Sequence, residues 1–155
     1  MAIIGSLMKT EMITVKPSDS VADAARSMSQ NQVGAVLLIE GGAIKGILSE
    51  RDVVGRVVAE GKDPTATEVS EVATTEVVAV DVGTHVRKCV EMQLAMGVRH
   101  LPVTDNGRPV GILSSRDFLA YVVEGLERII DKLDYETTLG EGVDPYDHLG
   151  GSYGK

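Results

Sequence analysis

Gly46-Ile47-Leu48-Ser49-Glu50-Arg51-Asp52 returns further along the chain as Gly111-Ile112-Leu113-Ser114-Ser115-Arg116-Asp117. Working outward from this heptad, residues 4–60 overlie residues 69–125 at a constant offset of 65, without a gap. Of these 57 positions 14 are identical, Val57-Val58 against Val122-Val123 among them. Self-similarity at a fixed period is the strongest organising signal a single sequence offers. Two copies are too few for a solenoid, so the units are expected to pack face to face and bury each other's apolar surface as a pseudo-two-fold pair. Residues 61–68, Gly-Lys-Asp-Pro-Thr-Ala-Thr-Glu, have the composition of a linker.

Each copy predicts the same order of elements. Met12–Val15 and Val77–Val80 are short β-prone runs following a Thr-Glu turn. Pro17-Ser18-Asp19 supplies turn and cap chemistry for a helix with Val21, Ala24, Ala25 and Met28 at helical spacing; the second copy uses Val86, Cys89, Val90 and Leu94. Two β-rich runs follow, Ala35–Ile39 and Ala43–Leu48, broken by Gly41-Gly42. Their counterparts are His100–Thr104 and Arg108–Leu113, broken by Asn106-Gly107, and both pairs read as tight hairpins. A second helix opens at Ser49 or Ser114 and carries Val53, Val54, Val57 and Val58, or Phe118, Leu119, Val122 and Val123. The unit is β-α-β-β-α, repeated, and the fold class is α/β. Leu126, Ile129, Ile130 and Leu133 prolong the last helix over residues 126–136 with an apolar stripe that copy one lacks, and such a stripe needs a partner. Residues 137–155, rich in Gly and acidic, read as a mobile tail.

Composition narrows the function. In 155 residues there is room for one compact domain or two small ones sharing a core, and 43% hydrophobic with 25% charged residues is the balance of a globular protein. A net charge of −8 argues against duplex nucleic acid, which is held mainly by Lys and Arg. The absence of Trp, with one Phe and four Tyr, leaves few stacking platforms for single strands. One cysteine, Cys89, permits no internal disulfide and points to a reducing, cytoplasmic compartment. The apolar start, residues 1–8, is too short for a spanning helix and lacks the basic leader of a signal peptide. His85, His100 and His148 have no metal-site spacing, and Walker-type loops, supported Ser-His-Asp arrangements and proton-sharing carboxylate pairs are all missing, so no catalytic residue is assigned.

The recurring Gly-Ile-Leu-Ser-x-Arg-Asp admits two readings. Ser49 with Asp52, and Ser114 with Asp117, have the spacing of a capping box, which stabilises a helix start by roughly 0.5–2 kcal/mol. Alternatively, a helix N-terminus with free N–H groups and a hydroxyl suits a phosphate, while a carboxylate beside it accepts both hydroxyls of a ribose. Gly46 and Gly111 would let a ligand approach the backbone, or mark a β-bulge. Arg51 and Arg116 are able to reach phosphate or to pair with a neighbouring carboxylate. Cys89, on the apolar stripe opposite Ala24, reads as a buried inert thiol.

These twin heptads, with Val98-Arg99-His100-Leu101-Pro102-Val103 before the second hairpin, resemble a tandem pair of cystathionine-β-synthase (CBS) domains, a Bateman module, over residues 4–125. The resemblance implies two β-α-β-β-α units packed through their sheets with helices outside, and two clefts for adenosine ligands: AMP, ADP or ATP, with S-adenosylmethionine and NAD as further candidates. It makes Asp52 and Asp117 ribose ligands with Ser49 and Ser114 beside them. Because the family's clefts mix both copies, one site is expected to combine Ser49 and Asp52 with Thr74, Thr75, Val78, Arg99 and His100. The other combines Ser114 and Asp117 with Thr10, Ile13, Gly34 and Ala35. Arg99 and His100 stand opposite Gly34 and Ala35, and Leu37 replaces the family's usual Pro in copy one, so the Asp52 cleft is the expected phosphate site. The implied function is a sensor whose occupancy changes inter-repeat or dimer geometry for a regulated protein, with homodimerisation through the helices. The alternative is a dimerisation scaffold with vestigial clefts.

Overall fold

The computed structural model describes residues 2–140. Two three-stranded sheets are present, each with a parallel and an antiparallel pairing. In the first, β1 (Thr14–Val15) runs parallel to β2 (Ala35–Glu40), which turns back into β3 (Ala43–Ser49); α1 (Val21–Asn31) joins β1 to β2. In the second, β4 (Val80–Asp81), α4 (Val86–Met96), β5 (His100–Asp105) and β6 (Arg108–Ser114) repeat that order. The helix after β3 is short, α2 (Glu50–Val53), continued by a wide π-helical turn over Val54–Val58, and α3 (Val69–Val72) follows the loop at 61–68. The helix after β6, α5 (Ser115–Gly140), is continuous and runs past residue 137, where the tail was expected to begin; residues 141–155 of that tail lie outside the described residues.

Both hairpins turn where glycine was expected to permit it: Gly41 and Gly42 have φ of 60° and 77°, Asn106 and Gly107 of 49° and 78°, the left-handed pair of a type I′ turn. The opening strands are shorter than the hydrophobic runs that announce them. Of Met12–Val15 only Thr14 and Val15 pair with Leu37 and Leu38, and of Val77–Val80 only Val80 pairs, joined by Asp81. In α1 the apolar face is as expected, with Val21, Ala24 and Met28 buried, while the cap is Ser20, whose Oγ accepts from Asp23 N at 3.1 Å. In α4 one expected core residue is misplaced: Leu94 is 78% exposed, and the buried position aligned with Met28 belongs to Gln93. The amide is tolerated there because it is bonded, Nε2 donating to Arg99 O at 3.1 Å.

The pseudo-two-fold is written in the hydrogen bonds. Ile4 N donates to Thr84 O, Gly5 N to Val82 O and Val86 N to Ala2 O, while Val69 N donates to Asp19 O, Ser70 N to Pro17 O and Val21 N to Thr67 O. The second set is the first shifted by one repeat. The bridges Lys9 with Ile112 and Thr74 with Ile47 are related in the same way. Each repeat therefore hands its leading segment to the other, residues 2–9 lying along repeat two and residues 67–74 along repeat one. The sheets meet along β3 and β6. A core of Val15, Val21, Met28, Val36, Leu38, Leu48 and Val57 is closed by Val69 and Val72 from the exchanged segment.

This exchange explains the motif glycines. A Cβ on Gly46 would lie 3.1 Å from Thr74 O, and one on Gly111 2.6 Å from Lys9 O and 2.8 Å from Met8 Sδ. The chain's own backbone makes the close approach, and the β-bulge is present as well, the register shifting between Leu38 and Ile39 and between Val103 and Thr104. Gly111→Ala is expected to lower stability by about 1–3 kcal/mol, and Gly46→Ala by less, since backbone atoms cannot rotate aside. Denaturant midpoints of the two variants measure the difference.

The described residues divide into two compact units, 2–117 and 118–140. The first holds both sheets, their exchanged segments and α1 to α4. The second carries α5 beyond its first turn, with Leu119, Val122, Val123, Leu126, Ile129, Ile130 and Leu133 all between 46% and 65% exposed.

Candidate functional site

In the first unit a cavity of about 130 Å³ opens where the exchanged leading segment of repeat one meets the start of α5. A volume of that size has room for part of an organic ligand and not merely for an ion. It is lined by Lys9, Glu11, Met12 and Ile13 from the leading segment and by Ile112, Ser114, Ser115, Arg116 and Asp117 from β6 and the start of α5, the two stretches joined by the Lys9–Ile112 bridge. The starts of β2 and β5 complete it with Gly34, Ala35, Arg99 and His100, together with Gln32 and Glu50.

Of the residues expected to serve the Asp117 cleft, Ser114, Asp117, Ile13, Gly34 and Ala35 line the cavity, whereas Thr10, between two lining residues, does not. Arg99 and His100 were expected to serve Asp52 and instead line the Asp117 cavity. The reason is register: His100 pairs directly with Ser114 across the β5–β6 hairpin, so the strand start lies beside the helix start of its own repeat. His100 also reaches repeat one, because a Cβ on Gly34 would lie 3.2 Å from the His100 ring. Around Asp52 the structure gathers Ser49 and Thr74 but brings neither Thr75 nor Val78, both exposed, into any described bond.

The two acids differ in what they hold. Asp52 Oδ2 accepts from Ser49 N at 2.8 Å and Ser49 Oγ at 2.7 Å, and Asp52 N donates to Ser49 Oγ at 3.3 Å, a complete capping box. Its other oxygen, Oδ1, pairs with Arg56 at 3.3 Å. Asp117 Oδ2 accepts from Ser114 N at 2.6 Å and Ser114 Oγ at 2.7 Å, so the capping reading holds for this acid too. Among the described residues, however, no hydrogen bond or ion pair reaches Asp117 Oδ1. The residue matching Arg56 is Tyr121.

Three cations, Lys9, Arg99 and Arg116, and three carboxylates, Glu11, Glu50 and Asp117, line the cavity. None of the three cations has a side-chain partner within the described bonds and ion pairs. Arg51, the counterpart of Arg116, instead leans toward Gly97 O at 3.4 Å. Sequence reading missed Lys9, Glu11, Met12, Glu50 and Gln93. The last was signalled by an amide in a slot where copy one has Met28, and it braces the site by holding Arg99 O while its Oε1 accepts from Ser115 Oγ at 3.5 Å.

Burial, and next the Arg99 charge, push His100 below the usual imidazole range, against the opposing pull of Glu50 and Asp117. The folded protein thus binds fewer protons at this site than the unfolded chain between the depressed value and about 6.5, and stability rises with pH across that window. Melting temperature is expected to fall as pH drops from 6.5 toward 5, and His100→Gln to flatten that slope in a thermal scan series. Cys89 is fully buried with its thiol pushed up by burial, and among the described residues no group of three or more His, Cys, Asp or Glu could hold a metal ion.

With this architecture in place, comparison with known proteins is decisive for the family. The CBS domain family model matches twice, at residues 4–59 and 69–124, and the chain belongs to that family as a tandem pair. It is 34% identical over 117 residues to the CBS domain-containing protein YhcV of Bacillus subtilis, covering 76% of this chain and 83% of that one. A putative signal-transduction protein with CBS domains from Burkholderia ambifaria superposes with a TM-score of 0.76 at 30% identity, over 79% of this chain and 95% of the other. The CBS domain protein PAE2072 of Pyrobaculum aerophilum, solved in complex with AMP, superposes at 0.70 with 25% identity, over 75% and 89% of the two chains.

Proposed function

We propose that the chain is a regulatory module that takes an adenosine phosphate, AMP, ADP or ATP, in the Asp117 cavity and passes its occupancy to a partner protein as a change of geometry. The observation that carries this reading is the second oxygen of Asp117, which has no bond among the described residues, in a cavity with three cations that likewise lack a side-chain partner among them. A carboxylate beside a phosphate is unfavourable unless it engages the sugar, and Asp117 Oδ1 is placed to accept from a ribose diol. Lys9, Arg99 and Arg116, with the amides at the start of α5, offer the charge for phosphate. Met12, Ile13 and Ala35 supply apolar surface for a base. The AMP held by the Pyrobaculum relative supports the ligand class.

No side chain here has a catalytic assignment, and the role is regulatory. Among the described residues no helix is long and apolar enough to cross a membrane; a single buried cysteine fits a reducing compartment such as the cytoplasm. The exposed stripe of α5 fits a homodimer. The scaffold reading has one observation in its favour, that both acids cap their own helices. Titration calorimetry against AMP, ADP, ATP, S-adenosylmethionine and NAD separates the two: saturable heat with an adenosine phosphate is expected, and none with any compound overturns the sensor.

A further inference from the structure

The pseudo-two-fold predicts a second cleft around Ser49 and Asp52, and that cleft is furnished differently. Arg56 reaches from the π-helical turn and makes three contacts: Nη2 with Asp52 Oδ1 at 3.3 Å, Nη1 to Val72 O at 2.7 Å and to Thr74 Oγ1 at 3.2 Å. Thr74 is the counterpart of Lys9, which lines the Asp117 cavity. The guanidinium therefore lies in the space that, one repeat on, is the cavity, and it consumes the carboxylate oxygen that Asp117 leaves unbonded. The backbone is adapted to the same end. Ala59 N bonds Val54 O at 2.9 Å, widening the helix where Arg56 stands, whereas the matching stretch of α5, residues 119–123, is regular α-helix.

We propose that Arg56 is an internal occupant of the Asp52 cleft, a tethered cation that keeps the cleft closed, so that each chain binds one adenosine ligand and not two. Asp52 is only 15% exposed in its side chain while Arg56 is 45% exposed. The carboxylate is largely buried and its Oδ1 is held by the arginine, so a ribose diol must displace the guanidinium before it can bond Oδ1. Single exposed ion pairs are weak, but here one planar fork also satisfies the terminal carbonyl of α3 and the Thr74 hydroxyl, and losing all three contacts opposes ligand entry. Val72 and Thr74 belong to the exchanged segment of repeat two, so the latch is also a clasp between the repeats.

This inference rests on the adenosine-phosphate reading, and calorimetric stoichiometry with ATP and AMP distinguishes the failure of each. Wild-type protein is expected to bind one ligand per chain, and Arg56→Tyr, which installs the residue of repeat two, to bind two. Asp52→Asn placed on Arg56→Tyr is expected to restore one. Two ligands per chain in the wild type, or one in a folded Arg56→Tyr protein, overturns the latch and leaves the sensor standing; no binding by either protein overturns the sensor itself. Should Arg56→Tyr fail to fold, Asp117→Asn in the wild type decides: binding weakened about ten- to hundredfold and unaltered by adding Asp52→Asn supports a closed second cleft, and residual binding that adding Asp52→Asn abolishes overturns it.

Discussion

Asp117→Asn is expected to weaken AMP and ATP binding about ten- to hundredfold while leaving the unliganded melting temperature nearly unchanged. A hydrogen bond to a charged group contributes roughly 1.5–3 kcal/mol, which at 1.4 kcal/mol per decade gives that range. Asparagine keeps a carbonyl oxygen for the Ser114 amide, so the helix start is retained. The control is Asp52→Asn, where the cap is retained in the same way but the charge paired with Arg56 is lost: it is expected to lower free-protein stability by roughly 0.2–1 kcal/mol and to leave affinity alone. For the wild type, ligand at a hundred times its dissociation constant adds about 2.7 kcal/mol, an upward shift of roughly 5–10 °C for a chain of this size. Calorimetry and thermal scans of the three proteins read all of this. Equal affinity losses in both variants would remove the distinction between the clefts, and an unchanged affinity in Asp117→Asn would remove the ribose contact.

The second large effect concerns assembly. Leu126→Glu with Ile130→Glu is expected to convert a dimer to a monomer, read as a halving of mass by light scattering on a sizing column. Both side chains are more than half exposed, at 54% and 55%, within a stripe that also holds Leu119, Val122, Ile129 and Leu133. Contiguous apolar surface on that scale marks an interaction site. Because the substituted positions are exposed in the single chain, the variant is expected to fold with stability changed by about 0.5 kcal/mol or less, so a lost dimer would not be a lost fold. An unchanged mass contradicts this interface.

The repeat, the hairpins and their turn residues were legible because each rests on local chemistry: Gly-Gly and Asn-Gly where φ must be positive, alternating apolar runs on either side. Both Ser-Asp caps were legible for the same reason. The site was legible in its parts and not in its grouping. An offset comparison shows which residues correspond, but not that His100 and Gly34 touch, because that depends on how the two strand starts meet. Leu94 misled because two adjacent positions, 93 and 94, both suit a helical stripe, and only the satisfied amide of Gln93 decides between them. Arg56 carried no signal in its own copy; its meaning lies in the contrast with Tyr121 and in a wide helical turn that no local pattern announces.

The traded leading segments have a consequence for how such a molecule arises and how it can be dissected. A gene segment that doubles usually yields two autonomous halves, each able to be cut free and studied. Here a fragment ending near Gly61 would keep Lys9 and Ile13 but lose Ser114 to Asp117, which line the same cavity, and would expose the seat that Val69 and Val72 fill. Each half is the missing piece of its twin, and the cavity belongs to the junction and to neither copy.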